Sequence, residues 1–379
     1  MNKKKALFLY ELRRSWWILL VGVCLALVGC FIVWQEVGQG TWLWGGVYDS
    51  FIDDLESISV GSQFSSALVE TIYMGLHVLV FAIALMMLLA YSDLHSRRNQ
   101  EYLHCLPYTK TQRFLMRTVL MYGYITVCCL LFSLGVIAVR QIEIDNIQYN
   151  TLLSPAYEEL LANETIWHTL RSLVLLWLIL TALYTLFLMV HTLVNVSAMA
   201  SLMTIGVISA PRVLCWTINQ FCLIFTGKEI THYSSLASLS DIFWGNATYV
   251  DAASGGVVAG GDSVPVAYAV GYENMLLQYI LMIVVAVAAF LIAWKANKSY
   301  DLAKNRMLVS IRWARYTFAA GMGFCFAAGI AVAVGWTAVS VQRVEFSTSA
   351  GITGLTALLL VGGGFSVLSN LLLKIKVKN

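Results

Sequence analysis

Eight long apolar stretches run through this chain, at 17–34, 72–91, 119–139, 173–194, 196–225, 276–294, 316–339 and 352–373. Each has 18 or more mainly apolar residues, and a helix needs roughly 20 to cross about 30 Å of hydrocarbon. Lipid offers a backbone no hydrogen-bond partner, so each stretch must satisfy its own N–H and C=O groups as a helix. The fold class that follows is an all-α polytopic membrane protein. Charged residues make up 12% of the chain, against about 25% in a soluble domain, and this excludes most soluble enzymes.

The basic residues are sorted by gap. Five Lys or Arg precede the first span (Lys3, Lys4, Lys5, Arg13, Arg14). Five lie between spans two and three (Arg97, Arg98, Lys110, Arg113, Arg117). Six lie between spans six and seven (Lys295, Lys298, Lys304, Arg306, Arg312, Arg315) and three after span eight (Lys374, Lys376, Lys378). That is 19 of the 24 in the chain. Positive residues mark the cytoplasmic side, so both termini are expected there, as an even number of spans requires. Residues 92–117 and 295–315 then form cytoplasmic loops, 374–379 a basic tail, and 35–71, 140–172 and 226–274 extracellular loops. Residues 17–373 read as one transmembrane domain. The outer gaps are acidic, with Asp53, Asp54 and Glu56 in the first and Glu158 and Glu159 in the third. A basic inner surface suits membrane lipids with anionic headgroups. Nucleic acid is excluded as a partner, because no basic patch is interleaved with aromatics on a soluble module.

Residues 1–16 read as an amphipathic interfacial helix, with Leu7, Phe8 and Leu12 at helical spacing and Lys5, Glu11 and Arg14 on other faces. Trp16 and Trp17 fall where an aromatic belt lies. Leu27-Val28-Gly29-Cys30 resembles a lipoprotein cleavage box, but the apolar run continues through Trp34, so the stretch is read as a retained first span. Seven of the eight cysteines lie in spans and Cys105 lies in a cytoplasmic gap, a pattern of small packing residues rather than of disulfides.

Span five is unusually long and contains Pro211 and Arg212. A proline there kinks the helix, or ends it near Ala210 with a re-entrant piece beyond. An intramembrane arginine faces protein or water, which makes Arg212 a possible pathway residue beside the readings of snorkelling and of a structural ion pair. Span seven repeats Gly321, Cys325, Gly329 and Ala333, a small-residue stripe for close helix approach. Gly362-Gly363-Gly364 is expected to loosen or bend span eight.

The chain has no phosphate loop, no His-Glu-x-x-His, no Cys-x-x-Cys and no Gly-x-Ser-x-Gly, so no catalytic residue, metal or cofactor is assigned to it. His77 and His191 read as interhelical hydrogen-bonding residues. Asp53 and Asp54 are adjacent, so their side chains diverge, and they read as a solvated acidic loop.

The second gap is the most informative. It runs Tyr91-Ser92-Asp93-Leu94-His95-Ser96-Arg97-Arg98-Asn99-Gln100-Glu101-Tyr102-Leu103-His104-Cys105-Leu106-Pro107-Tyr108-Thr109. Thr109-x-x-Gln112 spells a capping box that starts the helix into span three. Pro107 breaks the preceding segment, so residues 97–106 can form a short helix against the inner membrane face.

These features resemble the permease subunits of type-two ABC transporters, Gram-positive branch: an acidic residue, a basic cluster, Glu101, then Leu106-Pro107 and a hydroxyl before a basic helix start. Tyr10-Glu11-Leu12-Arg13-Arg14-Ser15-Trp16-Trp17 is similar to that family's connector helix. The second cytoplasmic loop, Ser299 to Arg306, departs from the Arg-Pro-Ser-Glu pattern of the family. The resemblance implies a coupling helix docked on a separate ATPase that carries ATP and Mg. It also implies a second permease subunit, a bacterial plasma membrane, and export of an amphipathic peptide, antibiotic or lipid-like molecule. On that reading Arg97, Arg98 and Glu101 meet the ATPase, Leu103 and Leu106 plug into it, and Pro107 and Thr109 set the angle into span three. Two alternatives stay open. One is a membrane sensor or immunity subunit that binds extracellular peptide without moving it. The other is a lipid-modifying membrane enzyme using Arg212, His77 or His191.

Overall fold

The computed structural model describes residues 3–38, 64–91, 108–143, 166–227, 248–250, 269–271, 275–299, 308–309, 311–342 and 346–374. Eight helices fill these segments: α1 (Lys3–Gly38), α2 (Phe64–Ala90), α3 (Lys110–Ile142), α4 (Ile166–Leu193), α5 (Ser197–Thr226), α6 (Met275–Ser299), α7 (Arg312–Gln342) and α8 (Thr348–Leu372). Seven are long and apolar enough to cross a membrane, and α2 contributes a shorter apolar helix over Gly75–Ala90. The chain is a multi-pass membrane protein, and its bare outer surface agrees: Leu27, Leu134 and Leu359 are 64%, 65% and 75% exposed, as side chains facing acyl tails would be. An even number of spans returns the chain to the side where it began, and the Lys and Arg pattern makes that side the cytoplasm. Between α5 and α6, β1 (Thr248–Val250) and β2 (Ala269–Gly271) pair antiparallel, which the apolar pattern of the sequence does not foretell.

The chain divides into two compact units. In the first, α1 and α3 run parallel. Gly22 faces Cys128, Gly29 faces the Phe132 ring and Gly135 faces Cys30, so contacts climb both helices in the same direction. A Cβ at Gly22 would lie 2.6 Å from Cys128 Sγ, and the Cys30 thiol donates weakly to the Phe132 carbonyl at 3.6 Å. The cysteines of this seam act as small packing residues, and those of the described spans are all free thiols. The N-terminal segment is helical, but no turn separates it from the first span. Its buried face also differs from the expected one. Leu7, Glu11, Ser15 and Ile18 point inward, whereas Phe8 is exposed. At 1.5 Å per residue the 36-residue α1 is about 54 Å long, well over the hydrocarbon thickness, so part of it stands clear of the apolar layer.

In the second unit, α7 and α8 form an antiparallel hairpin with backbones in close approach. Gly323 sits against the Gly362 carbonyl and Ser366, and Gly354 against the Ala331 carbonyl, Gly335 and the Phe221 ring of α5. The packing stripe on α7 is therefore Ala319, Gly323, Ala327, Ala331 and Gly335, all buried. The expected stripe at Gly321, Cys325, Gly329 and Ala333 lies on another face. A Cβ at Gly321 or Gly329 would meet nothing within 4 Å. The triple glycine does not break α8, which is continuous from Thr348 to Leu372, and Gly362 alone of the three packs against α7. Likewise α5 continues as one helix through Pro211, so neither a break near Ala210 nor a re-entrant piece occurs. It ends at Gly227, whose φ of 66° is a left-handed cap that donates to the Leu223 carbonyl at 2.8 Å. Next to that cap, the Ser347 amide donates to the Ile224 carbonyl at 2.9 Å and the Ser347 hydroxyl caps α8 by accepting from the Ala350 amide.

Parallel substitutions separate the two stripes. Gly323→Ala must displace backbone at 2.7 Å and 2.8 Å and is expected to destabilise by about 1–3 kcal/mol. Gly321→Ala, in open space, is expected to be neutral or to stabilise by up to about 1 kcal/mol. Thermal unfolding of the two purified variants checks this, and equal melting temperatures would contradict the assigned packing face.

Candidate functional site

Several polar contacts among the described residues lie at helix ends next to the cytoplasmic loops, beginning with the borders of the loop at 92–107. Thr109 caps α3 as its sequence foretells. The Thr109 amide donates to Gln112 Oε1 at 3.1 Å and the Gln112 amide donates to Thr109 Oγ1 at 3.2 Å, a reciprocal capping box. At the other border, Tyr91 is buried and its hydroxyl lies 2.8 Å from the Tyr184 hydroxyl of α4. Arg97, Arg98, Glu101, Leu103, Leu106 and Pro107 lie outside the described residues, as do the outer-loop acids Asp53 and Asp54.

Two turns into α3, Arg117 reaches α1. Its Nε donates to Glu11 Oε2 and its Nη2 to Glu11 Oε1, both at 3.1 Å, a two-pronged ion pair. Glu11 and Arg117 are only 2% and 6% exposed. One turn further along α1, Ser15 donates to the Glu11 carbonyl at 2.7 Å, so its oxygen is left to accept from the Tyr124 hydroxyl at 3.1 Å. The N-terminal helix is thus fixed to the first turns of the helix that leaves the loop. The sequence pattern puts Glu11 on a face other than that of Leu7, Phe8 and Leu12, and Arg117 among the cytoplasmic charges, with nothing to pair them. The available signal was that Glu11 is the one acid before Glu36, set among basic residues.

In the second unit the α4–α5 turn makes backbone contacts normally seen in sheets. Val194 bridges Val309, the Asn195 amide donates to the Leu308 carbonyl at 2.8 Å, and the Val309 amide donates to the Leu373 carbonyl at 3.3 Å. Ala296, Ala314, Val309 and Leu373 close a hydrophobic cluster there with Val190 and Met203. The end of the second cytoplasmic loop is therefore clamped between a helix turn and the start of the C-terminal tail.

His191 hydrogen-bonds between helices, as expected. Its Nε2 lies 3.2 Å from Ser201 Oγ, and Ser201 donates to the Ala84 carbonyl of α2 at 3.3 Å. Because the Ser201 proton is committed to Ala84, His191 must donate through Nε2. The arrangement is a structural relay, not an imidazole activating a nucleophile. No Asp or Glu occurs among the described residues of this unit. His77 lies on an exposed face of α2 and Arg212 on an exposed face of α5. Among the described residues, no three His, Cys, Asp or Glu side chains come together as a metal site. Comparison with protein-family models, curated proteins and solved structures gives no match.

Removing one partner of a buried ion pair leaves the other charge without compensation, at about 3–5 kcal/mol. Glu11→Gln or Arg117→Met alone is expected to destabilise by that amount, and the double variant by less than the sum. A double-mutant cycle on thermal unfolding measures this. Strictly additive effects would mean the two side chains do not interact.

Proposed function

We propose that this chain is the membrane-spanning subunit of a bacterial ABC transporter of the type-two class, seated in the plasma membrane. A separate ATPase that binds ATP and Mg docks on the loop at 92–117. Two permease subunits, identical or related, enclose the pathway, and an amphipathic peptide, antibiotic or lipid-like molecule is exported. The observation that carries the reading is the mechanical continuity at the loop's exit. A coupling loop is useful only if a push on it moves helices rather than deforming their ends. The Thr109–Gln112 box stiffens the first turn of α3, and the buried Glu11–Arg117 pair makes α1 follow α3. The clamp of residues 308–309 between Asn195 and Leu373 supplies a similar rigid ending to the second cytoplasmic loop.

In this mechanism Glu101 meets a basic surface of the ATPase, Arg97 and Arg98 meet acidic ones, and Leu103 and Leu106 fill an apolar socket. Closure of the ATPase on nucleotide then displaces the loop, and Pro107 and Thr109 direct that displacement into α3.

The experiment has two stages. The chain, affinity-purified from its native membrane, is expected to carry with it a phosphate-loop ATPase. In the reconstituted complex, Glu101→Lys combined with Pro107→Gly is expected to leave insertion and basal ATP hydrolysis intact and to reduce transport by an order of magnitude or more. Absence of any ATPase from the purified complex, or undiminished transport by the double variant, would defeat the reading.

A further inference from the structure

α6 and α7 both carry exposed cations and exposed aromatics where they border the second cytoplasmic loop. Residues 283–299 of α6 and all of α7 belong to the second unit, and the two helices contribute Ala296 and Ala314 to one hydrophobic cluster. Outward from that cluster stand Lys295 and Lys298 of α6 and Arg312 of α7, all exposed. None of the three makes an ion pair among the described residues, and those of this unit include no Asp or Glu. Arg315, the next cation along α7, is buried with its guanidinium over the Tyr316 ring, and it is not counted with them. The length of α6 fixes the depth of its lysines. Met275 to Trp294 are 20 residues without a charge, about 30 Å of helix and no more than the hydrocarbon needs. Lys295 therefore comes at the edge of the apolar layer, with Lys298 about one turn beyond. Trp294, Trp313 and Tyr316 are exposed beside these cations, as aromatics at headgroup level are.

The face continues into the apolar layer. On α6, Leu291, Trp294, Lys295 and Lys298 stand at positions i, i+3, i+4 and i+7, which share one side of a helix, and Val284 and Val287 extend that side. All are exposed, whereas Ala289, Ala293 and Ala296 are buried on the other side. Val284 precedes Lys295 by 11 residues, about 16 Å, which is the depth of one leaflet. The combination selects the occupant. An acidic protein surface would match the cations but could not follow the face into hydrocarbon. A phospholipid with net negative charge matches both parts, since its phosphate takes the cations and its acyl chain takes the apolar track. We infer that these ends of α6 and α7 bind an anionic phospholipid of the inner leaflet. Lys295, Lys298 and Arg312 hold its phosphate oxygens, Trp294, Trp313 and Tyr316 flank the glycerol level, and a chain lies along Val284, Val287 and Leu291. The site is independent of whether the chain transports anything.

The test uses the full chain in neutral detergent. Binding of radiolabelled phosphatidylglycerol and phosphatidylcholine to the affinity-captured chain is measured over a range of lipid concentrations. The anionic lipid is expected to bind about tenfold or more tightly, since each cation near a headgroup contributes about fivefold. Lys295→Gln with Lys298→Gln should cut that preference at least fivefold, and Lys295→Arg with Lys298→Arg should keep it. Lys5→Gln with Arg13→Gln removes the same charge from exposed positions on α1 and should change the preference less than twofold. Should the Lys295 and Lys298 double variant fail to fold by circular dichroism, Arg312→Gln with Trp313→Leu is expected to weaken phosphatidylglycerol binding about fivefold. Equal binding of the two lipids by the native chain would overturn the site. So would a loss in the α1 variant as large as that in the α6 variant, because the preference would then belong to overall charge. Tighter binding of a polyglutamate peptide than of phosphatidylglycerol, abolished in the α6 variant, would give the face to an acidic protein and overturn the lipid assignment.

Discussion

Hydrocarbon supplies no hydrogen-bond partner, so in this chain every polar side chain at membrane depth has to be matched by protein. Many hydroxyls solve the problem locally. Thr126, Thr204, Thr217, Thr337, Ser340, Thr353 and Thr356 each donate to the carbonyl one turn back in their own helix. Such bonds spend the donor without joining anything. The polar groups that reach another helix therefore carry the architecture, among them Ser201 to Ala84, Ser197 to Leu88, Trp336 to Gln220, Trp177 to Thr126, and Glu11 to Arg117. The ion pair is the costliest of these to assemble, since both charges lose their water, and it is tolerable because both carboxylate oxygens are engaged at once.

Between the remaining surfaces, association rests on close approach, because apolar side chains gain nothing by leaving lipid for protein. That explains the residues chosen at the seams. Glycine, alanine and cysteine line the α1–α3 contact and the α7–α8 hairpin. Large residues turn outward, so the bulk of the apolar mass serves as a lipid-facing coat. α4 departs from this pattern. Its second half carries large side chains inward, with Leu183, Phe187, Leu188 and Val190 all fully buried.

What the sequence discloses follows from which signals are one-dimensional. Span number, direction and the Thr109 cap can be read because hydrocarbon length, charge alternation and capping chemistry are properties of a single segment. The inward stripe of α7 is not of that kind. Residues 319–335 contain small residues at spacing four in two different phases, and only the position of α8 decides which phase packs. Glu11 was misplaced for a similar reason. Amphipathic patterning assigns charges to water, and this charge is buried because Arg117, more than a hundred positions away, meets it. The continuity of α5 through Pro211 is likewise not legible in one segment, because the same residues also allow an end near Ala210.

Neighbouring helices grip α5 unevenly. Its first turns are stapled to α2 through Ser197 and Ser201, and its last turns are wedged against α7 and α8 through Gln220, Phe221, Ile224 and Phe225. Pro211 falls between the two grips and removes the N–H that would have held the Val207 carbonyl. Like a beam clamped at both ends and notched at its centre, α5 would concentrate any imposed curvature at residues 207–211, one step from the guanidinium of Arg212.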